Sequence, residues 1–261
     1  MVGKGSSIAC RGGLVATLLL AAVAPVAAQE RAQDTETHWG IGMAAAVNGL
    51  PYRNYKTDVI PLPALSYEGK RIYLRAATVG FRVLGSRTSG LSLTLAPLGM
   101  RFRARDSDDA RLRRLDDRDL SALAGVAWRY TQDWGVVQAS FQKEITGHGG
   151  GTISEASYAF PLYKSDLILT PRVGITRTSG ALNNYYFGVN AVDSLRSGLA
   201  RYDARGGNTP WLEMTAVQRL GRHWVVAGGM RYSRLSDEVS NSPMTDKSSA
   251  KSFFVSTTYF L

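Results

Sequence analysis

The sequence predicts an all-β protein: a single antiparallel transmembrane β-barrel of about twelve strands, with ten as the alternative, following a cleaved export signal. Three observations predict it. The N-terminus carries positive charge, then an apolar run, then small residues. The body of the chain is a succession of segments of about ten residues in which apolar and polar positions alternate between turn residues. The chain stops on such a segment, 252–261, where Phe253, Val255, Thr257, Tyr259 and Leu261 share one side and Ser252, Ser256 and Thr258 the other. Ten residues at about 3.3 Å each, tilted by about 45°, span the roughly 25 Å apolar band of an outer-membrane barrel. A barrel pairs its last strand with its first and so leaves no edge. Such barrels typically finish on an aromatic residue, and here Tyr259 and Phe260 precede a final Leu261.

Residues 1–28 read as a signal peptide. Lys4 and Arg11 precede the apolar run 14–26, and Val26-Ala27-Ala28 offers a cleavage site ahead of Gln29. The run is too short for a membrane helix. Residues 29–261 then form one barrel domain, with no Pro- or Ser-rich linker dividing them. Cys10, the one cysteine, lies in the leader, so the exported chain is left without thiol chemistry or disulfides. The net charge is +10, largely from arginine, which favours anionic partners such as lipopolysaccharide; export argues against nucleic acid.

Strands are expected over 38–47, 60–67, 71–84, 91–105, 120–131, 134–146, 152–163, 167–178, 184–190, 209–220, 223–235 and 252–261. The weakest is 60–67, because Pro61 and Pro63 remove ladder donors. Without 184–190 the count falls to eleven, and a bacterial single-chain barrel should have an even number. The charged stretch 106–119 reads as a solvated loop, or a short helix over 111–115. In 223–235, Trp224, Val226, Gly228, Met230 and Tyr232 share a face, so Trp224 and Tyr232, with Tyr259, are the expected membrane-interface anchors. Arg101, Arg103 and Arg105 share a face as well. At about 2–4 kcal/mol each near the bilayer midplane they cannot meet lipid. They are expected to face an anion-attracting lumen or to lie beyond the membrane edge.

Chemistry is sparse. The histidines outside the leader, His38, His148 and His223, have no second ligand at metal-site spacing, and no cofactor is expected. His148, in Thr146-Gly147-His148-Gly149-Gly150-Gly151 with Glu144 and Ser154 nearby, reads first as a flexible loop tip and only distantly as a catalytic group. Non-enzymatic action is the expectation. Tyr185, Tyr186 and Phe187 cannot all face one side of a strand. They are expected to cap the barrel mouth from a long outer loop, the alternative being girdle aromatics on a strand.

The stretch Asn184-Tyr185-Tyr186-Phe187-Gly188-Val189, with Ser194, Ser197-Gly198-Leu199 and Tyr202, resembles the MipA/OmpV family of MltA-interacting outer-membrane proteins. So do Glu144 to Gly149, Leu235 to Glu238 with Ser242-Pro243, and the closing Tyr259-Phe260. The resemblance implies an outer-membrane barrel without catalytic residues. In some members it implies a scaffold between a lytic murein transglycosylase and a peptidoglycan synthase; others are linked to osmotic response or adhesion. A scaffold or interaction protein is therefore the leading expectation. A small channel is second, and a lipid-modifying enzyme using His148 third.

Overall fold

The computed structural model describes residues 38–57 and 59–261, Ile60 by its backbone alone. The signal peptide expected over 1–28 lies outside the described residues. The first and last strands, β1 (His38–Asn48) and β13 (Ser249–Phe260), pair antiparallel from Gly40↔Phe260 to Asn48↔Ser252. Bonds from Leu261 N to Trp39 O (3.0 Å) and Gly49 N to Lys251 O (2.9 Å) extend this seam at both ends. Between them run β2 (Val59–Glu68), β3 (Ile72–Arg75), β4 (Thr78–Gly85), β5 (Ser89–Leu98), β6 (Ser121–Gln132) and β7 (Gly135–Glu144). Next come β8 (Thr152–Ala159), β9 (Leu162–Lys164), β10 (Leu167–Thr178), β11 (Gly207–Leu220) and β12 (Trp224–Arg234). β8 and β9 pair with successive stretches of the same side of β10 and make one interrupted stave, so the ring closes with twelve.

Twelve is reached by a different route from the one the sequence suggests. Residues 184–190 are not a strand but lie largely in a helix, as described below. The stave this removes is restored at 71–84, which folds back as the β3–β4 hairpin around Ala76-Ala77, with Ala76 at φ +51°. The proline-bearing segment is a full strand, paired with β1 from His38↔Glu68 to Val47↔Val59. β5 ends at Leu98, before Arg101, so the three arginines do not sit on a strand. Gly99 follows the last paired residue, and a residue without a side chain weakens a ladder.

Alternation sorts the staves into two faces. Trp39, Ile41 and Met43 on β1, Leu93 and Leu95 on β5, Val173 and Ile175 on β10, and Phe253 and Val255 on β13 all stand exposed on the outer face. A belt of this kind is what hydrocarbon covers. The loops 49–57, 99–120, 145–151, 179–206 and 235–248 lie at the end opposite the termini. Short turns, 69–71, 86–88, 133–134, 165–166 and 221–223, close the other. Aromatic rings crowd the turn end: Trp39 against Tyr67 (4.5 Å), Trp128 on Tyr130 (5.9 Å), Trp134 on Tyr158 (6.0 Å) and Trp224 against Tyr259 (5.2 Å). Trp224 and Tyr259 are register partners there, whereas Tyr232 lies toward the loop end of β12.

Gly42 lets the seam form, because a Cβ at that position would lie 1.9 Å from the Thr257 carbonyl oxygen. Replacing Gly42 by Val should lower stability by about 1–3 kcal/mol through overpacking against backbone. On a detergent gel the heat-modifiable fraction should fall, while Met43→Val, on the exposed face, should leave it unchanged.

Candidate functional site

The long loops do not stand apart from one another. They meet over the barrel mouth around a fully buried set: Tyr52 from the first loop, Phe102 and Leu112 from the second, Leu182, Tyr186 and Phe187 from the fourth, and Met244 from the fifth. Tyr52 is the hub, with its ring 4.9 Å from Phe102 and 5.4 Å from Phe187. Side chains that large, removed from water together, give the lid its own apolar core. The fourth loop contributes Leu182, Tyr186 and Phe187 from α1 (Gly180–Phe187), which is followed by α2 (Ala191–Ser197). Asn190 starts α2 by accepting the Asp193 N–H at 2.8 Å, and Gly198, at φ +75°, ends it in the left-handed conformation that glycine adopts freely.

Polar groups lock the same core. The Tyr186 hydroxyl donates to the Asp119 carbonyl (3.0 Å) and lies 2.8 Å from the Ser121 hydroxyl. Ser242 donates to the Phe187 carbonyl at 2.6 Å, and Tyr185 accepts from the Asp119 N–H at 2.9 Å. Burial pushes the Tyr186 and Tyr55 phenols up to about 12, still further from ionisation than an ordinary phenol. The helical turn that carries Tyr186 and Phe187 lets both neighbours enter one core, whereas a strand would send them to opposite faces.

The charged stretch 106–119 is fastened down rather than merely solvated. Leu112 and Leu115 are buried, in and just after a 3-10 turn at Leu112–Arg114. Arg118 pairs with the buried Asp193 of α2 at 2.9 Å, and Arg196 bridges Asp193 and Asp116, both at 2.9 Å. Arg103 reaches Asp117 (3.0 Å) and Asp119 (3.1 Å), and Arg105 lies 3.7 Å from Asp106. Arg101 is half-buried in the same loop. The three arginines therefore belong to the lid, past the end of β5. His148 is pinned as well: its ring stacks on Tyr185 (5.3 Å, 7°) and its Nδ1 lies 3.1 Å from the Leu120 carbonyl. A carbonyl only accepts, so that contact needs the proton on Nδ1. The nitrogen nearest the Ser121 hydroxyl, at 3.5 Å, is then a donor and not a base.

Below the lid, ion pairs line one side of the lumen, on the neighbouring staves β8, β10, β11 and β12. Arg231 binds Glu213 at 2.8 Å and lies 3.6 Å from Glu155, and Arg172 is 3.7 Å from Glu213 and hydrogen-bonded to Ser157 and Gln138. Both guanidiniums sit over the Trp211 ring, at 3.8 and 5.5 Å. A second network joins Glu68 to Arg75 and Arg82 beside Tyr73. The sequence signal for the first was available, since Arg172, Glu213 and Arg231 each interrupt an apolar strand at an inward position. The hub Tyr52 carried no such periodic signal.

Twelve staves, a lipid-facing belt, an aromatic girdle and a mouth shut by the chain's own loops define an outer-membrane β-barrel of the lidded kind. Residues 41–261 match the family described as MltA-interacting protein MipA, and the chain belongs to that family. It is similar to YiaT of Escherichia coli (strain K12), 36% identical over 85% of this chain and 90% of that one. It is likewise similar to the MltA-interacting protein of the same strain, 33% identical over 88% and 93%. Outer membrane protein OmpV of Vibrio cholerae is 28% identical over 55% and 56%. The protein resides in the outer membrane.

Truncating Tyr186 and Phe187 together to Ala removes two fully buried rings, each worth about 3–5 kcal/mol in a core. The double variant should insert and remain heat-modifiable while residues 182–208 become far more sensitive to added protease; failure to insert would show the barrel needs its lid. A pH effect follows from Asp116, whose carboxyl is held below the usual carboxylate range by its hydrogen bond from Arg196. A depressed folded-state pKa means the link is fully present above the unfolded value of about 3.9 and is lost as pH falls through the folded one. Pepsin cleavage near α2 should therefore rise below about pH 4, and Asp116→Asn should flatten part of that rise.

Proposed function

We propose that the protein is a non-enzymatic scaffold, recruiting peptidoglycan-processing enzymes to the inner face of the outer membrane. The observation that carries this reading is the turn end of the barrel. Long loops face outward and short turns face the periplasm in such barrels. Here Lys70, Arg71, Arg87, Lys164 and Arg222 stand exposed around the turns, against Asp133 and Asp166. A basic rim of this kind attracts acidic protein surfaces and steers their approach. The 33%-identical relative's name, MltA-interacting protein, supports a murein transglycosylase as the partner. What weighs against an open channel is the packed lid over the mouth.

Charge reversal at Lys70, Arg71, Arg87 and Arg222 tests the reading, since none of them touches the lid. Pull-down from solubilised outer membranes should recover a lytic transglycosylase with the native protein and several-fold less with the variant, at equal heat-modifiability. Recovery no better than with an unrelated barrel would sink the scaffold.

A further inference from the structure

The ring of staves is complete only in its lower half. Between β2 and β5 the wall is the short β3–β4 hairpin, whose ladder with β2 covers only Ser66–Glu68. Its tip bonds at the level of Leu65, Ala76 N to Leu65 O at 3.1 Å. Among the described residues, nothing in β2 before Leu65 has a strand partner on that side, and β4 reaches only Leu95 of β5. The opening is framed on every side. Below lies Ala76-Ala77, and at the sides 59–64 and 96–98. Above, the first and second loops join through Tyr55↔Ser107, with Lys56 N to Asp106 O at 3.0 Å and Asp108 N to Asn54 O at 2.9 Å.

Three prolines sit on its two edges, and each turns its missing donor into the gap. Because Leu65 points its carbonyl away from β1, so do the odd-numbered Pro61 and Pro63 beside it. On β5, Pro97 faces Ala122, whose own carbonyl is taken by Ile145 N at 3.0 Å on the β7 side, so Pro97 also faces away from its partner strand. Edges short of donors are poor templates for another strand. In hydrocarbon each absent N–H is one polar group fewer to satisfy, which leaves the proline carbonyls as the groups that a gap at this place exposes.

We propose that this window admits an acyl chain of an anionic lipid from the outer leaflet, passing between the barrel wall and the lid. Height fits: Tyr67 marks the turn-end girdle, and Pro61 lies six residues above it, about 15 Å along the membrane normal after tilt. The frame is apolar, with Val59, Leu65 and Leu95 exposed on its outer face. Behind it stand Leu98 and Phe102, both fully buried in the lid core, with Leu62 and Ala64 on the inner face of β2 by alternation. Charge fits too. Lys56 and Arg105 flank the upper frame, with 58% and 85% of their side chains exposed and only loose contacts to Asp108 (3.9 Å) and Asp106 (3.7 Å). They can take up a lipid phosphate where acyl chains meet headgroups.

The test uses the intact protein in bilayers carrying phosphatidylglycerol with a photoactivatable group on its acyl chain, and a matched set with zwitterionic phosphatidylcholine. Adducts should map to the inward residues Leu62, Ala64 and Ala96, several-fold more with the anionic lipid. Lys56→Glu with Arg105→Glu should erase that preference without changing heat-modifiability. Adducts confined to outward Val59, Leu65 and Leu95 would overturn the proposal, whatever else fills the window. Equal inward labelling by the two lipids would remove the headgroup contact and overturn it as stated.

Discussion

A peptide N–H or C=O left unpaired in hydrocarbon costs several kcal/mol, so a sheet in a membrane must close on itself. In this chain closure is made by two strands at opposite ends of the sequence, β1 and β13. Their join depends on a glycine, Gly42, that leaves room for the facing backbone. Everything else is arranged by that ring. It puts the apolar residues of alternate positions on lipid, draws the charged ones inward where they must pair, and gathers the long loops at one end.

The periodic part of this was legible in the sequence. Period-2 alternation placed most staves to within a few residues, and the belt and girdle follow from it. Two staves were misread for physical reasons. In 71–84 nothing but small Ala76 and Ala77 marks the hairpin, since the turn uses no glycine or proline. In 184–190 a run of aromatics carries β propensity, yet its context is tertiary: a short helix forms because it buries Leu182, Tyr186 and Phe187 in the lid.

The candidate site was legible only in part. Tyr185 to Phe187 stand out as a block, but their partners Tyr52, Phe102, Leu112 and Met244 are lone apolar residues in polar loops, brought together from sequence separations that no local pattern encodes. The arginine series at 101, 103 and 105 shows the converse. Alternation was real in the sequence, but the strand it implied ends at Leu98, and charge pairing with Asp117 and Asp119 fixes Arg103 instead.

The lid's core has a consequence for biogenesis. Tyr52 and Met244 come from either side of the seam, from loops that follow β1 and precede β13. Contacts of such long range form late, after the entropy of bringing the ends together has been spent. A chain whose seam is still open, for example while its last strand awaits the first on an assembly machine, cannot bring all five loops over the mouth. The packed lid is thus complete only once the seam has closed, so burial of Tyr52, Phe102 and Phe187 marks a finished barrel.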